Sequence, residues 1–92
     1  MIIRWTKPAT DDLARVCDFT LDRFGQSQAR KTALALYESA ESLNRFPLRG
    51  RMGRKPATRE LVLAGYPFVI IYRVRETSIE VLRILHGAQR WP

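Results

Sequence analysis

The sequence contains a single cysteine and a single histidine, and it has no long apolar run. The lone Cys17 cannot form an intramolecular disulfide, which fits a reducing cytoplasm. His86 has no second histidine or cysteine at a metal-binding spacing, and no serine or aspartate at a spacing typical of a catalytic triad. No segment approaches the roughly 18 apolar residues of a membrane span, and no secretory signal is visible. We therefore expect a cytoplasmic protein with no cofactor and no membrane partner.

Acidic residues are scarce in the second half of the chain. From Thr6 to Asn44 six acidic residues accompany five basic ones, whereas from Arg45 to Pro92 three acidic residues accompany ten basic ones. The net charge of +7 therefore resides almost wholly in the second half. Six basic residues follow one another there without an acidic residue between them: Arg45, Arg49, Arg51, Arg54, Lys55 and Arg59. Because unopposed like charges repel, this half favours an acidic partner, either a nucleic acid or an acidic protein segment.

The spacing of apolar residues changes from helical to alternating near the middle of the chain. The length fits a single domain over residues 1–92. After a first strand, apolar residues recur at helical spacing in two segments, one capped by Thr6 and ended by Gly25, the other capped by Ser27. Asp11 and Asp12 fit the first turn of the first helix as helix-dipole partners. The β-branched runs that follow predict three more strands. The predicted strands cover 1–6, 58–64, 68–75 and 79–86, with a loop over 48–57.

These elements predict an α+β fold in the order β-α-α-β-β-β, with a helical hairpin packed on one face of a small, mainly antiparallel sheet. Alternation in the last two strands assigns one face to the core: Phe68, Ile70, Tyr72, Val74, Ile79, Val81 and Leu85. Arg83 on that face needs a partner, which a carboxylate of the first helix can supply. The other face carries Val69, Ile71, Arg73, Glu80, Leu82, Ile84 and His86. Nothing in the sequence is left to cover it, which favours a partner protein.

Several short motifs, in their order and spacing, resemble those of the RelE/ParE superfamily of bacterial type II toxins. They are Arg4–Ala9 followed by Asp11–Leu13, Asn44–Pro47, Arg59–Val62, Gly65–Pro67 and His86–Ala88. The resemblance spans the whole chain and implies the RelE/ParE fold, in agreement with the predicted elements. It also implies a toxin–antitoxin system in which a ParD-like antitoxin with an acidic segment covers the last hairpin. The residues expected to bind this antitoxin are Val69, Ile71, Arg73, Leu82 and Ile84.

Within the superfamily the chain looks most similar to the ParE branch. That similarity implies a protein that binds and poisons DNA gyrase and blocks replication, and not an enzyme. An inhibitor of this kind acts through binding energy, so exposed arginine and aromatic residues are its expected contacts. The predicted target-binding residues are Arg59, His86, Gln89, Arg90 and Trp91. DNA would be contacted only indirectly, through gyrase or through the antitoxin.

The alternative activity is that of the RelE branch, the ribosome-dependent cleavage of messenger RNA. Members of that branch typically carry an arginine in the third strand, another after the final glycine, and often a tyrosine further on. This chain has Val69 and Gln89 at the first two positions, so the gyrase inhibitor is favoured. A ribonuclease stays open, with Arg59, Arg73, His86 and Arg90 as its candidate set. A DNA-binding module is disfavoured, because the helical half has no basic recognition face.

Overall fold

A computed structural model describes residues 1–87 and 89 of the chain. The elements are β1 (Ile2–Trp5), α1 (Lys7–Phe24), α2 (Gln26–Ser42), β2 (Arg51–Met52), β3 (Arg59–Val62), β4 (Phe68–Val74) and β5 (Ser78–His86). The predicted α+β fold is confirmed, with one strand more than expected. The additional strand β2 lies inside the predicted loop over 48–57. A strand of two residues is too short for hydrophobic alternation to reveal.

The two helices are joined by a single residue, Gly25. Its φ of 88° suits glycine, and its N–H donates to the carbonyl of Leu21 at 3.0 Å, which ends α1. α2 then begins at Gln26, so the prediction that Ser27 caps this helix is wrong. The start of α1 is as predicted, because the side chain of Thr6 accepts the N–H of Ala9 at 3.3 Å.

The five strands form one sheet in the order β1-β5-β4-β3-β2. β1 and β5 are parallel, and every other neighbouring pair is antiparallel. The register of β4 and β5 is interrupted, because Ile71 pairs with Arg83 whereas Tyr72 pairs with Val81. Leu82 is therefore an extra residue in β5, a β-bulge.

The bulge corrects the predicted faces of β5. One extra residue moves every later side chain to the opposite face. Ile84 therefore lies in the core, 3% exposed, and Leu85 pairs with Val69 on the outer face. The sequence predicted the reverse, with Leu85 in the core and Ile84 on the outer face. Ile84 is therefore not part of the outer face on which antitoxin contacts were predicted.

The hydrophobic core lies between the helical hairpin and the two central strands. Its completely buried large side chains are Leu36 and Leu43 near the end of α2, and Ile70, Tyr72, Ile79 and Val81 on the sheet. The outer face is less open than predicted. Ile71 is only 2% exposed there, and it is in register with Glu60 on β3 and Arg83 on β5. Of the predicted antitoxin contacts, Val69, Arg73 and Leu82 remain partly exposed.

Asp12 ties α1 to the sheet at the point where β1 has ended. Its carboxylate is 5% exposed and accepts Arg83 Nε at 2.6 Å, Arg83 Nη2 at 3.1 Å and the backbone N–H of Ile84 at 2.9 Å. Arg15 Nη2 adds a bond of 2.7 Å. The predicted pairing of Arg83 with a carboxylate of the first helix is confirmed. The prediction that Asp11 and Asp12 are helix-dipole partners in the first turn is wrong, because both lie beyond that turn and Asp12 faces the sheet.

The same contacts set the ionisation of Asp12. Burial raises its pKa and is the largest single effect, but the hydrogen bonds from Arg83, Ile84 and Arg15 together outweigh it and hold the pKa below its ordinary value. A lowered folded-state pKa gives stability that is fully present above the unfolded pKa of about 3.9. That stability is lost as the pH falls through the folded-state pKa.

Asp12→Asn should lower the free energy of unfolding by about 2–4 kcal/mol at pH 7, because Arg83 and the Ile84 N–H lose a charged acceptor. Urea denaturation measures the change. Asp11→Asn is the matched control and should change the free energy by less than about 0.5 kcal/mol, since Asp11 pairs with exposed Lys7. The difference between wild type and Asp12→Asn should shrink below pH 4. Equal effects of the two substitutions would contradict the anchoring role of Asp12.

Candidate functional site

An open groove of about 1070 Å³ lies between α1, the start of α2 and the end of the sheet formed by the β3–β4 turn and the end of β5. Its apolar lining consists of Val16, Phe19, Phe24, Tyr66, Pro67, Phe68 and Ile84. Phe19 and Phe24 are 55% and 68% exposed, so a large aromatic surface faces solvent on the α1 wall. Exposed apolar surface of this kind is typical of protein-binding grooves.

The polar wall of the groove is mainly basic. It contains Arg15, Arg83 and His86, with Asp12 as its carboxylate. Asp12 holds the Nε and Nη2 atoms of Arg83, which orients the guanidinium along the groove edge. The side chain of Arg15 is 69% exposed. An apolar floor beside two fixed arginines suits an amphipathic segment that carries a carboxylate.

The end of β5 folds back at the opening of the groove. The N–H of His86 donates to Gln89 Oε1 at 2.6 Å, and the N–H of Gln89 donates to the His86 carbonyl at 2.8 Å. The His86 ring lies edge-on to Phe68, with centroids 6.1 Å apart. Two predicted target-binding residues, His86 and Gln89, are therefore brought together. Arg90 and Trp91 lie outside the described residues.

Arg59 lies apart from this pair. Arg59 is in register with Tyr72, whereas His86 is in register with Phe68, four residues or roughly 13 Å earlier along β4. The two residues also lie on opposite sides of β4, on β3 and β5. The Arg59 guanidinium donates to the Gly50 carbonyl at 2.8 Å and the Leu48 carbonyl at 3.4 Å. The structure thus gives Arg59 a role in holding the segment before β3.

That segment, residues 45–58, carries most of the clustered basic residues and is named the basic loop here. Its backbone is fixed by the hydroxyl of Tyr72, which accepts the Gly50 N–H at 2.8 Å and donates to the Pro47 carbonyl at 2.8 Å. Tyr72 is completely buried, and burial raises its pKa, so the hydroxyl keeps its proton. A side chain at Gly50 would lie 2.7 Å from the Tyr72 ring, which leaves room only for glycine.

The outer face of the sheet carries a second charged group. Arg73 and Arg75 both donate to Glu80 Oε1, at 3.1 and 3.0 Å, and Arg4 is in register with Glu80. The Arg75 hydrogen bond is the main reason why the pKa of Glu80 lies below its ordinary value. Arg73, a predicted antitoxin contact and a member of the candidate ribonuclease set, is thus paired with a carboxylate. It lies roughly 16 Å from the register position of His86, five residues along β4.

The described residues form surfaces suited to binding and do not bring a set of reactive side chains together. Among them, no three histidine, cysteine, aspartate or glutamate side chains are grouped closely enough to hold a metal ion. No helix in the described part of the chain has the length and apolar character needed to cross a membrane. Of the residues proposed for a ribonuclease, Arg59, Arg73 and His86 lie on β3, on β4 and at the end of β5, and Arg90 lies outside the described residues.

Comparison with known proteins identifies a family for the whole described fold. Residues 3–91 match the family model described as the ParE toxin of the type II toxin–antitoxin system parDE. The Y4kP protein of Sinorhizobium fredii is 33% identical over 98% of this chain and 92% of its own length. Toxin RelE2 of Caulobacter vibrioides is 36% identical over 92% of this chain and 93% of its own. A chain in the structure of the chromosomal ParDE system from P. aeruginosa superposes with a TM-score of 0.88 at 30% identity, covering 94% of this chain and 95% of that one.

Tyr72→Phe should free the basic loop, because the buried N–H of Gly50 loses its acceptor at a cost of about 1–3 kcal/mol. Hydrogen exchange of the Gly50 amide should accelerate, and trypsin should cut the loop faster at its arginines. Tyr37→Phe is the control, since the Tyr37 hydroxyl is exposed and bonds to Glu41. Unchanged exchange at Gly50 in the Tyr72 variant would show that the loop does not depend on this hydroxyl.

Proposed function

Since the chain belongs to the ParE toxin family of the RelE/ParE superfamily, the toxins of type II toxin–antitoxin systems, we propose that it blocks replication by binding and poisoning DNA gyrase in the cytoplasm. On this proposal the protein acts by binding and catalyses no reaction. The observation that carries it is the exposed end of β5, where reciprocal hydrogen bonds join His86 and Gln89. A preorganised surface loses less entropy on binding than a flexible one.

The proposed target-binding residues are His86, Gln89, Arg90 and Trp91. The last two follow Gln89 directly, and together they supply a cation and a large aromatic side chain, the residue types that dominate binding hot spots. Arg59, also predicted to bind the target, would act mainly by holding the basic loop, because its guanidinium is occupied by the Gly50 carbonyl.

The family implies a ParD antitoxin as partner, and the groove is the surface we assign to it. Its aromatic wall can bury the apolar side of an antitoxin segment. Arg15 and Arg83 share the single carboxylate of Asp12, which leaves a net positive charge for an acidic segment. The segment would continue over the partly exposed Val69, Arg73 and Leu82, which keeps part of the predicted antitoxin surface. The buried Ile71 and Ile84 would contribute little area.

This arrangement supplies a mechanism of neutralisation. His86 and Gln89 line the opening of the groove, so an antitoxin segment in the groove would cover them. Antitoxin and gyrase would then compete for one end of the molecule by steric exclusion.

A ribosome-dependent ribonuclease is the second candidate, because the Caulobacter relative carries the name RelE2. RNA cleavage requires acid and base groups within hydrogen-bond reach of the scissile phosphate. Here Arg73 is engaged by Glu80 and lies far from His86, which favours the gyrase proposal.

The double substitution Arg90→Ala, Trp91→Ala should weaken gyrase poisoning at least tenfold if these residues contact the target. Wild-type toxin should produce linear, protein-linked plasmid DNA in a dose-dependent gyrase assay, and the variant should need at least tenfold more protein, as expected for loss of a hot spot. Arg30→Ala, Tyr37→Ala is the matched control on the exposed side of α2. If folded wild-type protein produces no cleaved DNA but cleaves messenger RNA on ribosomes, the result contradicts the gyrase proposal and supports the RelE-type alternative.

Phe24→Glu should weaken binding of the cognate ParD-like antitoxin by about 30-fold, roughly 2 kcal/mol, because it places a charge on the aromatic wall of the groove. Leu34→Glu is the control, since Leu34 is 53% exposed and lies outside the groove lining. Titration calorimetry with both variants tests the assignment. Equal losses, or a loss only for Leu34→Glu, would place the antitoxin elsewhere.

A further inference from the structure

We propose that the basic loop is a nucleic-acid-binding surface that contacts DNA phosphates directly. This goes beyond the proposed function, in which DNA is reached only through gyrase or the antitoxin. The first observation is charge. The loop and the adjoining residues of β3 contain six basic residues and one acidic residue, Glu60, which pairs with Arg51 at 3.0 Å. Among the described residues, no carboxylate forms an ion pair with Arg45, Arg49 or Arg54.

The second observation is that the positive charges are held on a fixed backbone. Tyr72 anchors the middle of the loop from inside the core, and Arg59 binds two of its carbonyls. The loop tip is closed by buried Thr58, whose carbonyl accepts the Gly53 N–H at 2.8 Å and whose side chain donates to the Lys55 carbonyl at 2.6 Å. A rigid loop keeps like charges together in spite of their repulsion, which raises the local positive potential.

The third observation concerns the residues between the charges. Phe46, Leu48 and Met52 are 58%, 65% and 70% exposed, and the Arg45 guanidinium lies over the Phe46 ring at 5.8 Å. An arginine held beside an exposed ring is in a position to contact a backbone phosphate. Phe46, Pro47 and Leu48 are consecutive and line one small pocket with Arg49, whereas Met52 lies between Arg51 and Arg54. A surface on which basic residues outnumber the exposed large apolar side chains fits nucleic acid better than a protein interface, whose centre is depleted of charge.

The fourth observation is location. The groove includes Gln28 and Thr32 at the start of α2, whereas the basic loop follows the end of α2. The ten residues of this helix beyond Thr32 separate the two surfaces by roughly 15 Å. A segment in the groove would therefore leave the basic loop exposed, so the two surfaces can be occupied at the same time.

The test is the binding of purified full-length toxin, freed of antitoxin, to a fluorescein-labelled duplex of random sequence, followed by anisotropy between 50 and 200 mM salt. Binding should weaken with salt, because phosphate contacts release counterions. Arg45→Gln, Arg49→Gln, Arg54→Gln should reduce affinity at 50 mM salt at least tenfold and lower the logarithmic salt slope by roughly 2–3. Arg23→Gln, Arg30→Gln, Lys31→Gln removes the same charge from the helical side and should leave the slope nearly unchanged.

Three results would overturn the proposal. The first is no duplex binding at 50 mM salt with folded protein. The second is an equal loss in both triple variants, which would assign the binding to overall charge. The third is competition by polyglutamate as effective as that by unlabelled duplex, which would assign the loop to an acidic protein. Because the assay contains no gyrase, its outcome is independent of the gyrase experiment.

Discussion

The rest of the structure depends on the carboxylate of Asp12. β1 ends at Trp5, so the part of β5 beyond Val81 has no neighbouring strand on that side. Asp12 takes the place of a strand there by accepting the Ile84 N–H, and it neutralises Arg83 at the same time. One side chain thereby joins α1 to the sheet edge and forms a wall of the groove. A buried carboxylate is tolerated only with such partners, because an unpaired charge there would cost several kcal/mol.

Much of the fold could be predicted from the sequence because its signals are local. Helical spacing and Thr6 define the start of α1, and β-branched runs define β4 and β5. The bulge at Leu82 could not be predicted, since Val81 and Leu82 are both apolar and either could face the core. The exchange of Ile84 and Leu85 follows from that ambiguity. The sequence predicted that Arg83 pairs with a carboxylate of the first helix but could not single out Asp12, because the two residues lie 71 positions apart and no spacing rule connects them.

The candidate site was predictable only where its residues are neighbours in the chain. His86 and Gln89 come together because they lie at the end of one strand. Arg59 was grouped with them for its charge, but the register of β3 places it beside Tyr72. The groove was missed. Val16, Phe19 and Thr20 stand at i, i+3 and i+4 and share one face of α1, and helical spacing does not tell whether such a face meets the core or an open groove. The anchor of the basic loop had a weak signal, since a buried tyrosine requires a hydroxyl partner without specifying which one.

The distribution of charge explains why the groove and the basic loop suit different partners. The helical half is nearly neutral, and its exposed phenylalanines can bind a partner through apolar area. The basic loop is unsuited to that task, but its arginines can bind a polyanion over a wide range of sequences because phosphates are uniform. With roughly 15 Å of α2 between them, an antitoxin that covers the groove would block the β5 end and leave the loop available. Neutralisation of the toxin and contact with DNA would then be compatible in one complex, and the loop would add a salt-dependent contribution to the affinity of that complex for DNA.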